Sequence, residues 1–367
     1  MALKPVKAGI VGCGNISGIY FQAKRTFPIL DIVAAADLDV ERAKARAKEY
    51  DVARVCSVEE MLADKDIEII INLTTPQGHA PVNLAAIAAG KSAHTEKPFA
   101  ITREDGKKVL AAAKAKKVLV GGAPDTFMGA GIQTCLKLIN DGAIGRPIGA
   151  TAFMLCHGHE SWHPDPEFYY EKGGGPMFDM GPYYLTALVA LLGPVKRVAG
   201  ATAISFPERT ITSAKKNGKK VKVEVPTHVT GVMNFANGAI GTIITSFDVW
   251  GHRLPCIEIY GEKGTIWVPD PNGFGGPVTL QAGGAPAEVP LTHAYADNSR
   301  GIGAADMAYA LRTGRKHRSS GELAYHILDI MHAFHDSSDT GRHINLESTC
   351  AQPAPLPTGL KTGELDQ

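Results

Sequence analysis

The chain has 367 residues, 44% of them hydrophobic and 20% charged, with a formal net charge of +1. That length exceeds what a single hydrophobic core usually serves, so two domains are expected. The charge is nearly balanced, and the densest basic patch, KKNGKKVK (Lys215–Lys222), has no interleaved aromatic residue, so it reads as a polar hairpin turn and not as a nucleic-acid contact.

The six cysteines are scattered without a CxxC pair, as free thiols in a reducing compartment would be. MALKPVKAGIVGCG runs from two lysines into a strand without the apolar segment of a signal peptide. No stretch approaches the length of an apolar membrane span. A cytoplasmic enzyme or binding protein is the expected class.

KAGIVG (Lys7–Gly12) is a short apolar strand ending at glycine, followed by a helix beginning at Asn15 or Ile16. LDIVAAAD (Leu30–Asp37) is a second strand, closed by an acid, and VERAKARAKEY (Val40–Tyr50) an exposed helix. IEIIINLT is a buried strand, HAPVNLAAIAAG a helix stopped by Gly90, KSAHTEK a short strand, REDGKKVLAAAKAKK a helix and VLVGG a strand. Continuous apolar strands alternating with helices predict a parallel sheet covered on both faces. Beyond Gly122 a helix (Ala130–Asp141), the strand ATAFMLC and the helix YLTALVALLG lead into β-rich segments joined by NG, GEKG and Pro/Gly turns. FANGAIG carries the strongest hairpin signal, and SGELAYHILDIMHAFHDSS returns to helix. The expected fold is α/β: a Rossmann dinucleotide-binding domain (1–122), then an α+β domain on a large mixed, mostly antiparallel sheet (123–340). A Pro-rich extended tail (341–367) closes the chain.

Gly12, Gly14 and Ser17 form GxGxxS between the first strand and its helix. The first glycine permits the tight turn; the second removes a side chain where a pyrophosphate approaches the helix N-terminus, whose free N–H groups and dipole favour an anion. Asp37 lies near the offset at which an acid accepts hydrogen bonds from the adenosine ribose and repels a 2′-phosphate, which favours NAD over NADP. The bland reading is a glycine turn with an acidic strand cap. In TTPQGH (Thr74–His79), Thr74 and Thr75 are placed to contact the cofactor and Pro76 shapes the loop; His79 either joins them or packs the next helix.

Lys97 in HTEKPF precedes Pro98, which keeps it out of a helix. Near a nicotinamide its charge would stabilise a developing alkoxide; otherwise it is a surface lysine. Asp179 and Tyr183 in GGGPMFDMGPYY (Gly173–Tyr184) share one face if a helix starts near Asp179, with Pro182 confined to its first turn. Such an Asp holds a substrate hydroxyl or caps the helix. A free phenol has a pKa of about 10, so Tyr183 transfers a proton only beside a positive charge. HGHESWHPDPEFYY (His157–Tyr170) has three histidines, but hydride transfer needs no metal and the spacing fits no zinc pattern, so no metal is assigned. His159, Trp162 and His163 read as groups for sugar hydroxyls, with Trp162 and Tyr169 stacking on a sugar ring or simply packing.

The ordered set GIVGCGNIS, AAADLD, NLTTPQGH, TEKPF and GGGPMFDMGPYY resembles the glucose–fructose oxidoreductase/inositol dehydrogenase/rhizopine-catabolism family, from about Lys7 to the helix ending near Ser338. The resemblance implies a Rossmann domain and a C-terminal domain whose sheet supports dimers or tetramers. It also implies oxidation or reduction of a sugar, cyclitol or related polyol carbon with NAD or NADP. By motif, Gly12, Gly14, Asn15 and Ile16 hold the cofactor, Asp37 meets the ribose, and Glu96 and Lys97 match EKP, with Lys97 near nicotinamide and substrate. Asp179 matches the acid of DxGxH, and Tyr183 takes the position often held by a catalytic histidine, as in the glucose–fructose oxidoreductase and dihydrodiol dehydrogenase branches. APDTF (Ala123–Phe127) departs from relatives that place Asn and Arg before Phe, and puts Asp125 on the substrate side. The expected activity is hydride transfer between nicotinamide and a secondary alcohol of a sugar-like substrate, in a homo-oligomer. The alternatives are an NAD-retaining glycosidase acting by transient oxidation and a noncatalytic dinucleotide sensor.

Overall fold

The continuous apolar runs of the N-terminal third become strands in a computed structural model that describes residues 3–367. β1 (Val6–Val11), β2 (Leu30–Ala36), β3 (Arg54–Val55), β4 (Ile69–Asn72), β5 (Ser92–Thr95) and β6 (Val120–Gly122) form a parallel sheet in the order β3-β2-β1-β4-β5-β6. Every residue of β4, β5 and β6 is buried, as a sheet covered on both faces requires. Helices α1 (Ser17–Thr26), α2 (Val40–Glu49), α3 (Val58–Ala63), α4 (Pro76–Ala88) and α5 (Arg103–Lys116) connect the strands. Their starts follow side-chain chemistry: Asp39 caps α2, a Ser57–Glu60 capping box opens α3, and Thr102 caps α5. The strand order reverses between β1 and β4, which opens the crevice where open parallel sheets take their ligands.

The chain continues through α6 (Ala130–Asn140), β7 (Pro147–Leu155), α7 (Gly175–Asp179), α8 (Gly181–Leu192), β8 (Val195–Ala203), β9 (Glu208–Thr210) and β10 (Lys220–Lys222). It then runs through β11 (His228–Phe235), β12 (Ile240–Ser246), β13 (Ile257–Gly261), β14 (Thr265–Val268), β15 (Val278–Gln281) and β16 (Ala287–Val289), and ends with α9 (Ile302–Thr313), α10 (Gly321–Thr340) and β17 (Ile344–Asn345). Nine of these strands form one mixed sheet, β16-β15-β14-β13-β7-β12-β11-β8-β17, in which only β7 and β12 run parallel. One face is packed by helix: a Cβ at Gly231 would come within 2.4 Å of the Phe334 ring. The opposite face carries the other phase of the strands, with Val232, Thr242, Thr151, Glu258 and Trp267 in one cross-strand row. Lys215–Lys222 is the polar turn expected, closing the β9–β10 hairpin.

Two compact units result: Met1–Gln133 with Thr292–Tyr325 and Pro353–Gln367, and Thr134–Leu291 with His326–Gln352. This division differs from the continuous boundaries read from the sequence. The Ala-rich α9, unforeseen there, packs on the parallel sheet, and Ser320 bridges Gly121. The tail is docked onto the first unit: Arg318 donates to the carbonyls of Ala354 and Pro355 and pairs with Asp366, while Leu356 and Leu365 are buried. Among the described residues no helix is long and apolar enough to cross a membrane.

Candidate active site

The glycine loop is built as its residue types demand. Gly12 has φ +98°, and a Cβ there would lie 2.6 Å from the carbonyl carbon and oxygen of Leu73 at the end of β4. Gly14 differs: a Cβ on it would meet nothing, so this bare backbone borders open space. Asn15 and Ile16 complete the turn, and α1 starts after Ile16 with no side-chain cap and no acid in its first turn. Ser17 N turns back to Gly14 O at 3.2 Å, and the N-terminal end of the helix dipole stands without a side-chain cap, as an anion site requires. Ser17 is fully buried and its hydroxyl donates to Gly14 O at 2.7 Å, as a helix-packing residue in place of glycine. Asp37 follows β2. Its Oδ2 accepts from Cys13 N at 2.7 Å and its Oδ1 from Asp39 N at 2.8 Å, so the same acid that is expected to meet a ribose also fixes the glycine turn. Each oxygen retains acceptor capacity. An open cradle at Gly14, an uncapped helix start and an oriented carboxylate fit a dinucleotide.

After β4 the side chains hold one another. Asn72 is fully buried; its amide donates to His79 O and Asn83 Oδ1, each at 2.9 Å, and its Oδ1 accepts from the Thr74 hydroxyl at 2.7 Å. Thr75 is the N-cap residue of α4 and Pro76 opens its first turn, so the helix begins three residues before the expected His79. His79 itself is 1% exposed: Nδ1 lies 2.7 Å from Pro98 O and Nε2 2.9 Å from Thr74 O. Burial pushes its pKa down, against the pull of the two carbonyls. Both ring nitrogens thus lie against backbone carbonyls, of which a neutral ring donates to one, and His79 sits between the Thr74 loop and the EKP turn instead of facing a ligand. That corrects the expectation of a direct cofactor contact. The turn after β5 carries Glu96 and a half-buried Lys97; Glu96 accepts from Tyr20 OH at 2.7 Å and from Lys97 N at 3.1 Å. Asn72 and Tyr20 were missed from the sequence, although a polar residue ending the apolar run IIIN was the available signal.

Asp125 is also corrected. It is 1% exposed, and its Oδ2 accepts from the backbone N–H groups of Gly301 and Gly303 at 2.9 and 3.0 Å, satisfying the start of α9. Burial raises its pKa to about 6, opposed by these hydrogen bonds and by Arg300, and reinforced by Glu96. A carboxylate with these partners is a buried helix cap.

In the second unit the Gly173–Tyr184 stretch forms two short helices, not one. Pro176 and Pro182 each occupy a first turn, and Met180 breaks the run between them. Asp179 is therefore the last residue of α7, and Met180 is the N-cap residue of α8, without a side-chain bond. The Asp179 Oδ2 lies 3.2 Å from His159 Nε2. Tyr183 sits in the first turn of α8, 8% exposed. Tyr184 is buried beside it, and burial together with Cys256, Asp270 and Cys156 drives its phenol well above the ordinary range. The glycines before α7 answer to close approach: a Cβ at Gly174 would lie 2.5 Å from Phe168 O and 2.6 Å from Tyr169 O. Gly174 thus lets the start of α7 come against the 157–170 loop, and Gly175 lets it come against Pro226 O.

That loop carries the remaining candidates. His159 is packed by Tyr169 and Phe247, with ring centroids at 4.2 and 4.6 Å, and Trp162 meets it edge-on at 5.3 Å. His163 contacts Trp162, Phe168 and Tyr169, and its Nδ1 accepts from Asp165 N at 3.1 Å. His157 points elsewhere and stacks on Trp250 at 3.5 Å. Among the described residues no three His, Cys, Asp or Glu side chains gather to hold a metal ion. Under the loop lies a buried polar network that the sequence did not reveal. Arg209 donates to Glu160 Oε1 at 3.0 Å and Phe247 O at 2.8 Å and pairs with Asp248, while Tyr170 OH donates to Glu160 Oε2 at 2.6 Å.

A parallel sheet in this order with a glycine cradle defines a dinucleotide-binding protein, and its relatives identify its kind. Residues 6–122 match the model of an oxidoreductase family with an NAD-binding Rossmann fold, and residues 132–267 match the GFO/IDH/MocA C-terminal domain. The chain belongs to the GFO/IDH/MocA family of oxidoreductases, with an NAD-binding Rossmann domain. It is similar to a levoglucosan dehydrogenase of Pseudarthrobacter phenanthrenivorans, 25% identical over 68% of this chain and 67% of the relative. It is also similar to a D-apiose dehydrogenase of Paraburkholderia graminis, 26% identical over 98% and 95%. Among solved structures, a levoglucosan dehydrogenase in complex with NADH aligns with a TM-score of 0.80 at 21% identity, covering 94% of this chain and 100% of that one. An NAD binding oxidoreductase from Klebsiella pneumoniae aligns at 0.81 and 18%, covering 93% and 99%.

Proposed function

We propose that this oxidoreductase interconverts a secondary alcohol and a ketone on a sugar, sugar derivative or cyclitol. The observation that carries the reading is the pairing of Asp179, at the end of α7, with His159 at 3.2 Å. Bound NAD supplies the hydride acceptor or donor. Asp179 accepts a hydrogen bond from the substrate hydroxyl and so orients it, while His159 fixes the carboxylate. Tyr183 takes the hydroxyl proton during oxidation and returns it during reduction. Lys97, assigned by its motif, supplies the positive charge that a developing oxyanion requires. Gly12, Gly14, Asn15, Ile16, Asp37, Thr74, Thr75, Pro76 and Glu96 make up the cofactor side, with His79 as the pin behind it. The named activities of the similar proteins, on levoglucosan and D-apiose, support a carbohydrate substrate.

An absorbance screen at about 340 nm with NAD and NADP against sugars, sugar acids and cyclitols tests the reading. Tyr183→Phe is expected to lower kcat by at least about a hundredfold, the scale of a lost general acid–base group, with NAD affinity intact. Unchanged turnover in that variant overturns the assignment, and a preference for NADP overturns the role given to Asp37.

A further inference from the structure

The surface next to Asp179 is an aromatic rim held unusually firmly for an exposed loop. Trp162 is 61% and Phe168 41% exposed, so beyond their ring contacts with His159, His163 and Tyr169 both leave much apolar surface in water. Exposed loop tips of this length are ordinarily mobile. This one is fastened along its whole course. The Glu160 carbonyl accepts from Thr212 N and Ser213 N at 3.0 and 2.8 Å, and Ser213 Oγ donates to His163 O at 2.8 Å. Lys215 and Lys216 pair with Asp165, and Lys216 and Lys219 with Glu167. Beneath, Glu160 is bound to Tyr170 and Arg209. The β9–β10 hairpin and its turn thus act as a splint for the loop. A splint that holds aromatic rings in solvent lowers the ordering cost of binding something there.

We propose that Trp162, His163, Phe168 and Tyr169 form a subsite for a second, uncharged sugar ring, so that the substrate is a disaccharide or longer glycoside oxidised on the ring that meets Asp179. The inference rests on the carbohydrate reading above and extends it. One imidazole, that of His159, lies between Asp179 and Trp162, which makes the rim continuous with the hydroxyl-binding carboxylate. The rim alternates ring surfaces with polar tips, an indole N–H, an imidazole and a phenol, as a ring with apolar C–H faces and equatorial hydroxyls requires. Its charges are already matched: the three lysines of the splint are each engaged by Asp165 or Glu167, which leaves them committed and not directed at a phosphate or carboxylate on the ligand.

The test measures binding of matched pairs to the NADH-loaded protein by titration calorimetry: glucose against cellobiose and maltose, galactose against lactose, xylose against xylobiose. At least one disaccharide is expected to bind about tenfold more tightly than its monosaccharide, the scale of one aromatic stacking contact. Trp162→Ala should abolish that ratio and Trp162→Phe restore most of it. Equal affinities across every pair, or a ratio that survives Trp162→Ala, overturn the proposal. The same panel read at about 340 nm separates this from the parent reading. Monosaccharide turnover with no disaccharide advantage sinks the subsite alone. A Trp162-dependent disaccharide affinity with no NADH formed from added NAD supports the subsite and overturns the proposed alcohol oxidation.

Discussion

Asp125 shows how a residue that looks like substrate chemistry in the sequence resolves into folding chemistry. A single carboxylate oxygen serves two N–H groups at the start of α9, a helix with no other cap, and the group is sealed from water. Its folded pKa of about 6 stands above the ordinary 3.8, so between those values the folded state holds more protons than the unfolded one. The contribution of Asp125 to stability is therefore greatest below pH 3.8 and falls as pH rises to about 6. Asn keeps an oxygen for both N–H groups and removes the charge. Asp125→Asn is expected to flatten the loss of stability across that window and to gain on the order of 2 kcal/mol at neutral pH relative to the wild type. Thermal unfolding followed from about pH 4 to 8 decides it; parallel curves for the two proteins would refute the assignment. Nothing in APDTF distinguishes this acid from a ligand-facing one, because its partners, Gly301 and Gly303, lie far along the chain. His79 was ambiguous for the same reason, with one of its two carbonyl partners beyond the next strand.

At the scale of elements, legibility followed how local the cause is. The glycine turn, its flanking strand and helix, and the acid closing β2 are encoded within a few dozen residues, and the structure places them as the spacing predicts. Gly12 and Gly14 nevertheless have different duties. Gly12 needs a left-handed backbone and touches the Leu73 carbonyl, which cannot yield, whereas Gly14 borders only open space. Gly12→Ala is expected to cost roughly 1–3 kcal/mol of stability and to lose NAD binding with it. Gly14→Ala should unfold at the wild-type temperature yet bind NAD at least about tenfold more weakly, because its methyl group occupies the cradle. Calorimetric unfolding paired with NAD titration separates the two; a destabilised Gly14→Ala would mean the cradle is filled by protein. The α7–α8 break has a local cause: Pro182 has no N–H to give the Phe178 carbonyl, so the run stops at Met180 and restarts. What local reading could not supply is the close approach of Gly174 to the Phe168 and Tyr169 carbonyls.

For the whole molecule, the sequence conveyed two domains but not their discontinuity. Local patterns report elements, whereas the return of Thr292–Tyr325 and Pro353–Gln367 to the first unit depends on long-range packing and on the Arg318 bonds to the tail. The second sheet raises the remaining question of what covers the face opposite Phe334. In the outward phase, Val232 is 38% and Ile240 54% exposed, and the row Val232–Thr242–Thr151–Glu258–Trp267 crosses five strands without interruption. We propose that a second copy covers this row of Val, Thr and Trp side chains with its single acid, Glu258, in a homo-oligomer joined through this face. A two-fold axis would bring each residue of the patch near its own equivalent, so a single added charge is repeated across the interface and repels itself. Val232→Glu with Ile240→Glu is accordingly expected to shift the protein to monomers in light scattering coupled to gel filtration. Both side chains point outward from the core, so the far-ultraviolet spectrum and NAD affinity should remain those of the wild type. A wild-type protein that is already monomeric at micromolar concentration, or a double variant that keeps its oligomeric mass, would place the assembly surface elsewhere.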